Sequence, residues 1–127
     1  MSLPARSMPA LRYLRKHPRF AIGDAGAARF GGETFVIGDI SSAGMRLIVS
    51  AALALEKGER RVFELEIRHP RDEDDHKVWS IPTVCAWRAE TDAGFSFEIP
   101  EGTRRDIERM LARIFATGAV KIVNASE

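Results

Sequence analysis

The sequence predicts an all-β domain, a six-stranded antiparallel split β-barrel followed by one C-terminal α-helix. Three observations predict it. Segments between residues 20 and 100 alternate apolar and polar side chains with a period of two. Glycine, aspartate and serine clusters separate those segments at turn spacing. After residue 100 the period switches once, to that of a helix. Six short strands in so small a domain favour a closed or split barrel over an open sheet with two bare edges.

Each element has its own signal. The opening stretch MSLPARSMPA carries Pro4 and Pro9 and no period, so residues 1–11 read as a flexible arm. ALRYLRKH offers a turn or two of helix, which Pro18 stops because its ring disfavours the α conformation at His17. AARF and ETFVIGD flank Gly31-Gly32, a hairpin signal. In GMRLIVS, Met45, Leu47 and Val49 share a face. In RVFELEIR, Phe63, Leu65 and Ile67 take one face and Glu64 and Glu66 the other, as in a half-solvated antiparallel strand. The acidic run Asp72, Glu73, Asp74, Asp75 reads as a solvated loop. KVWSIPTVCAWRAE is long and β-rich, with Pro82 marking a break, bulge or edge. GFSFEI sets Phe95, Phe97 and Ile99 on one side.

Ile107, Met110, Leu111, Ile114 and Phe115 then follow helical spacing, for a helix over about 103–116. Thr103 is positioned to cap it, with Asp106 at the capping-box position and Gly118 to end it. The domain is thus expected over residues 12–117, with the barrel at about 20–100. Residues 118–127 form a C-terminal tail in which VKIV can add a short strand.

Composition narrows the function classes. A chain of 127 residues, 45% hydrophobic and 29% charged, suits one folded domain and not a disordered one. There is no apolar run of 18 residues and no apolar signal-peptide core, so a cytoplasmic location is expected. The single cysteine, Cys85, excludes an internal disulfide framework and sits in a strand pattern as a small hydrophobe. Net charge is only +1, but residues 1–23 hold Arg6, Arg12, Arg15, Lys16 and Arg19 and no acid. That local basic segment can meet an anion.

Two short motifs stand out. In RKHPR, Arg15 and Arg19 are four apart with Pro18 between them. If the segment is extended, their side chains start roughly 13 Å apart, so they reach different parts of one ligand. In DISSAG, residues 39–44, Asp39, Ser41 and Gly44 lie between the strand ending at Gly38 and the strand starting at Met45. Such residues are good turn formers in their own right. They also make a small polar cradle, with a carboxylate, a hydroxyl and a backbone open to close approach.

In order and spacing these motifs resemble the PilZ domain family, whose signature is RxxxR followed by (D/N)xSxxG. Further along, Gly44-Met45-Arg46-Leu47, Val84-Cys85-Ala86-Trp87 and Gly94-Phe95-Ser96-Phe97 are similar to that family too, and the resemblance covers about residues 12–116. It implies a receptor or adaptor for cyclic di-GMP, with Arg15, Arg19, Asp39, Ser41 and Gly44 as ligand-binding residues. An arginine can fork onto guanine O6 and N7 or onto a phosphate, or stack on a base. The acceptor-only carboxylate of Asp39 suits the N–H edge of guanine. Leu14, where the family varies ligand stoichiometry, and Lys16, Arg46 and Trp87 are secondary candidates. The segment around residues 10–20 is expected to order around the ligand and to signal through contact with a protein effector, the receptor itself being a monomer or homodimer.

Other classes have weaker support. A nucleic-acid-binding barrel would need a stacking platform and basic residues spread over the barrel, and neither is visible. A protein-interaction module that binds no nucleotide is the other alternative. His69, Asp72, Asp74 and His76 lack the spacing of a metal site, so no metal or cofactor is expected. Ser41 and Ser42 sit in no nucleophile elbow and no Walker lysine follows a glycine loop, so no catalytic activity is expected.

Overall fold

A computed structural model of the chain describes residues 17–123. Arg15, Leu14, Lys16, the arm at 1–11 and the helical turn expected in ALRYLRKH therefore lie outside the described residues, wholly or nearly so.

Six strands form the barrel: β2 (Gly26–Phe30), β3 (Glu33–Ile40), β4 (Gly44–Ile48), β5 (Arg60–His69), β6 (Asp72–Arg88) and β7 (Asp92–Phe97). Every neighbouring pair is antiparallel, in the order β2-β5-β6-β7-β4-β3, and β2 pairs again with β3 to close the ring. Two short strands are added beside β3. Phe20 of β1 (Phe20–Ala21) faces Ile40, and β8 (Lys121–Ile122) pairs with β1. A 3₁₀ turn at Gly23–Ala25 joins β1 to β2. The expected antiparallel barrel with a C-terminal helix is what the chain forms; VKIV supplies one of the two extra strands, β8, and the other, β1, was not expected.

The β2–β3 turn shows how closely local chemistry sets the fold. Gly31 and Gly32 have φ of 61° and 83°, the left-handed pair that a two-residue hairpin loop requires. The alternating strands then deliver Phe35, Ile37, Met45, Leu47, Phe63, Leu65, Ile67, Phe95 and Phe97 to one core. Phe63 sits at its centre, 4.9 Å from the Phe95 ring and 6.0 Å from that of Phe35, both edge-on.

The helix α1 (Glu101–Phe115) buries Ile107, Met110, Leu111 and Ile114 against the same core. It starts two residues earlier than expected. Pro100 is the N-cap residue, with no side-chain cap bond, and its carbonyl accepts the first helical bond from Arg104. Glu101 supplies the negative charge of the first turn, where the helix dipole favours it. Asp106 forms no capping box: it accepts from Trp79 Nε1 at 3.1 Å and pairs with Lys77 Nζ at 3.3 Å. The helix is thereby tied to β6, and Arg113 adds a two-pronged pair to Asp75 at 3.0 Å on each prong.

Three further expectations are corrected. The acidic run is not a loop: Asp72–Asp75 fall inside β6, and the hairpin turns at Pro70-Arg71, with a register shift that absorbs the extra residues. Glu66 is not on a solvated face, because Arg29 (2.6 Å) and Arg68 (2.9 Å) cover its carboxylate. The strand expected to end at Gly38 runs on to Ile40, so Asp39 is a strand residue and not a turn residue.

Candidate functional site

Two β-bulges build the site. Between β3 and β4 the register steps from Ile37↔Leu47 to Asp39↔Arg46, leaving Gly38 as an extra residue. Ile37 and Ile40 point inward, so the extra residue is what turns Asp39 outward, opposite Arg46. Between β6 and β7 the register steps from Cys85↔Phe95 to Trp87↔Gly94, leaving Ala86 over. Cys85 stays in the core while Trp87 swings to the outside. Arg46 faces Gly94 across the β4–β7 pair. Asp39, Arg46, Gly94 and Trp87 therefore form one row across four adjacent strands, on the outer face of the barrel.

The row is polar at one end and flat at the other. Asp39 is buried, yet both its oxygens are partnered: Arg19 Nη1 lies 3.1 Å from Oδ1, and Arg46 Nε donates to Oδ2 at 2.8 Å. Arg46 also reaches Asp92 Oδ2 at 3.3 Å. The hydrogen bond to Asp39 raises the Arg46 pKa above the ordinary arginine value; burial opposes the rise and Asp92 adds to it. Trp87 lies across Gly94, where any Cβ would collide with the indole.

The turn from β3 to β4 supplies the hydroxyls. Ser41 Oγ accepts from Ala43 N at 3.0 Å, and Ser41 N donates to the Gly44 carbonyl at 2.8 Å. Ser42 Oγ lies 3.1 Å from His17 Nδ1, which brings the segment before β1 onto the turn. That segment is also held from behind, because Val123 N donates to the Arg19 carbonyl at 2.8 Å. At Gly44 a Cβ would sit 2.5 Å from the Phe95 carbonyl oxygen. The glycine is thus required by the close passage of β4 along β7, a demand separate from the ligand approach expected of it.

Two cavities open here. One of about 390 Å³ is lined by His17, Arg19, Ser41, Gly44, Trp87 and Ser96 among others. The other, of about 570 Å³, is lined by Arg19, Ala21, Gly38, Asp39, Arg46, Trp87 and Val123. Arg19 and Trp87 border both, so the two adjoin. Of the residues expected from the sequence, Arg19, Asp39, Ser41, Gly44, Arg46 and Trp87 come together; Arg15, Leu14 and Lys16 lie outside the described residues. His17, Gly38, Asp92 and Gly94 join the site without having been expected there. His17 stood inside the RKHPR motif and Gly94 inside the Gly94-Phe95-Ser96-Phe97 stretch, but Gly38 and Asp92 are brought in only by register. Among the described residues no group of three or more His, Cys, Asp or Glu side chains is placed to hold a metal ion.

Fold and site together define a small closed β-barrel with an arginine-framed cleft on its outer face. The chain belongs to the PilZ domain family, whose profile, described as PilZ domain, matches residues 13–113. Solved structures share the fold. An uncharacterized Legionella protein, Lpg0364, superposes with a TM-score of 0.62 at 14% identity, over 79% of this chain and 96% of that one. The Bacillus subtilis inhibitor of motility MotI/DgrA gives 0.60 at 17% identity, over 80% of this chain, which spans about half (52%) of that protein. The PilZ domain of YcgR from Escherichia coli, in a structure with c-di-GMP, gives 0.54 at 14% identity, over 82% and 93% of the two chains. No curated protein matches the sequence.

Proposed function

We propose that the chain is a cyclic di-GMP receptor of the adaptor kind, without catalytic activity, and that residues 12–117 are its binding unit. The observation that carries this reading is the row Asp39–Arg46–Gly94–Trp87, with Arg19 and Ser41 beside it, around two adjoining cavities. Family membership and the c-di-GMP in the YcgR structure support the choice of ligand. Each group has a matching partner on a cyclic dinucleotide. Trp87 offers an indole face for a base. Arg19, and with it Arg15, forks onto a phosphate or onto guanine O6 and N7. Asp39 accepts from the guanine N–H edge, Ser41 bonds base or phosphate, and Gly44 keeps the turn tight beneath them. Lys16 adds charge to the segment, and Leu14 is the position that bears on stoichiometry.

In this reading the ligand gathers the segment bearing Arg15 and Arg19 against the barrel. The reshaped surface is then read by a protein effector in the cytoplasm, since a ligand shifts a conformational equilibrium only through differential contacts. Calorimetric titration with cyclic di-GMP, with GMP as control, tests the proposal. Wild type is expected to bind in the micromolar range or tighter, about −8 kcal/mol or better. Arg19→Ala is expected to weaken binding about 10- to 150-fold, the loss of one charge-assisted contact of roughly 1.5 to 3 kcal/mol. The Arg15→Ala/Arg19→Ala double variant should abolish it. Folded protein that gives no heat at high ligand concentration would overturn the reading.

A further inference from the structure

We infer that Arg46 is a positioning residue that sets the base selectivity of this site by fixing Asp39. The inference rests on the cyclic di-GMP reading above and adds a residue that the two motifs do not contain.

The two partners of Asp39 are unequal. Arg46 is fixed on several sides: its Nε donates to Asp39 Oδ2 at 2.8 Å, and its Nη1 reaches Asp92 Oδ2 at 3.3 Å. Its guanidinium also lies over Gly38, where a Cβ would fall 2.5–2.9 Å from Nη2, Cζ and Nη1. Any other residue at the bulge would push it away. Among the described residues the Arg19 side chain makes one ion pair, 3.1 Å from Oδ1, and it comes from the segment before β1 and not from the barrel wall. Oδ2 is thus the anchored oxygen and Oδ1 the exchangeable one.

That division suits a base edge. Guanine presents N–H donors from N1 and the 2-amino group, whereas adenine presents an acceptor at N1. A carboxylate oxygen held in place accepts from the first and repels the second. A carboxylate free to turn discriminates less, because it can rotate its charge away. On binding, the base N–H replaces Arg19 at Oδ1, and the released guanidinium is free to fork onto a phosphate or onto the O6/N7 edge. Arg46 keeps the carboxylate paired throughout, so it is never left buried and uncompensated.

Titration of wild type, Arg46→Gln, Arg46→Lys and Asp92→Asn with cyclic di-GMP and with cyclic di-AMP tests this, with thermal unfolding alongside. Wild type is expected to prefer cyclic di-GMP by at least about 100-fold, beyond most of the range an apolar pocket alone reaches and toward the roughly 10⁴–10⁵ of a site that bonds a substrate N–H its analogue lacks. Arg46→Gln should lose about tenfold or more of that ratio. Arg46→Lys should not restore it, because an ammonium is a point charge and not a fork. Asp92→Asn should lower the ratio less, in the same direction. A ratio unchanged in folded Arg46→Gln, or in Asp92→Asn if that variant alone folds, overturns the inference and leaves the ion pair a structural one. Wild type that binds both ligands alike also overturns it while leaving the receptor intact. Wild type that binds neither overturns the receptor reading itself, and the inference with it.

Discussion

Glu66 illustrates what a single residue contributes away from the candidate site. Its carboxylate is buried on β5 under Arg29 and Arg68. The hydrogen bond from Arg29, then that from Arg68, holds its pKa below the ordinary glutamate value against the opposing effect of burial. A carboxyl group with a depressed folded-state pKa stabilises the fold fully above its unfolded value of about 4.3. That contribution is lost as the pH falls through the folded value. Stability of wild type is therefore expected to decline below about pH 4.3. Glu66→Gln should be less stable at pH 7 and show a shallower acid decline, read by urea unfolding between pH 3 and pH 7. Asp75 and Asp106 are also depressed, by Arg113 and Trp79 respectively, so a reduced slope and not a flat profile is expected. An acid slope identical to that of wild type would remove Glu66 from the account.

At the scale of the element, the site depends on bulges more than on motifs. The motifs named Arg19, Asp39, Ser41 and Gly44 because their residue types and spacing are written in the chain. Period-two alternation then located the strands. A bulge inverts that alternation from one residue onward, and nothing local in VCAW announces that Ala86 is the residue left over. By alternation alone Trp87 would share the inward face of Cys85; it was a ligand candidate only through the family resemblance, and its exposed position over Gly94 follows from register. The pairing of Arg46 with Asp92, residues 46 apart in sequence, is hidden for the same reason. Gly94→Ala tests the arrangement. The added methyl group collides with the indole, so a destabilisation of about 1–3 kcal/mol is expected. In a Trp79→Phe background the fluorescence of Trp87, then the only tryptophan, should shift and cyclic di-GMP affinity should fall. An unchanged spectrum with full affinity would mean that Trp87 is not seated on Gly94.

For the whole molecule, one core joins the six barrel strands, β1 and the helix, with Phe63 among the rings of Phe30, Phe35 and Phe95. Phe63→Ala is expected to cost about 3–5 kcal/mol, a large share of the roughly 5–15 kcal/mol typical of a domain. It should show as a single cooperative transition at lower denaturant, and a loss below about 1 kcal/mol would show that the cluster repacks without it. The core and the helix were legible because burial imposes periodicity on them. The start of the helix at Glu101 and the strand character of Asp72–Asp75 were not, because they answer to Pro100 and to the pairing of β6 with β5.

The pairing of β1 with β8 has a mechanical consequence. Phe20 faces Ile122, and Val123 N donates to the Arg19 carbonyl, so the chain enters and leaves the fold side by side. Tension applied between residues 19 and 123 loads these few bonds one after another, as a zipper opens, and not all together in shear. The first part to yield is β8, the edge strand that pairs with β1 alone, while β1 stays paired with β3 through Phe20 and Ile40 and the closed ring of six strands bears little of the load. A tether pulling on both ends would thus strip the backing from the Arg19 carbonyl long before it unfolded the barrel.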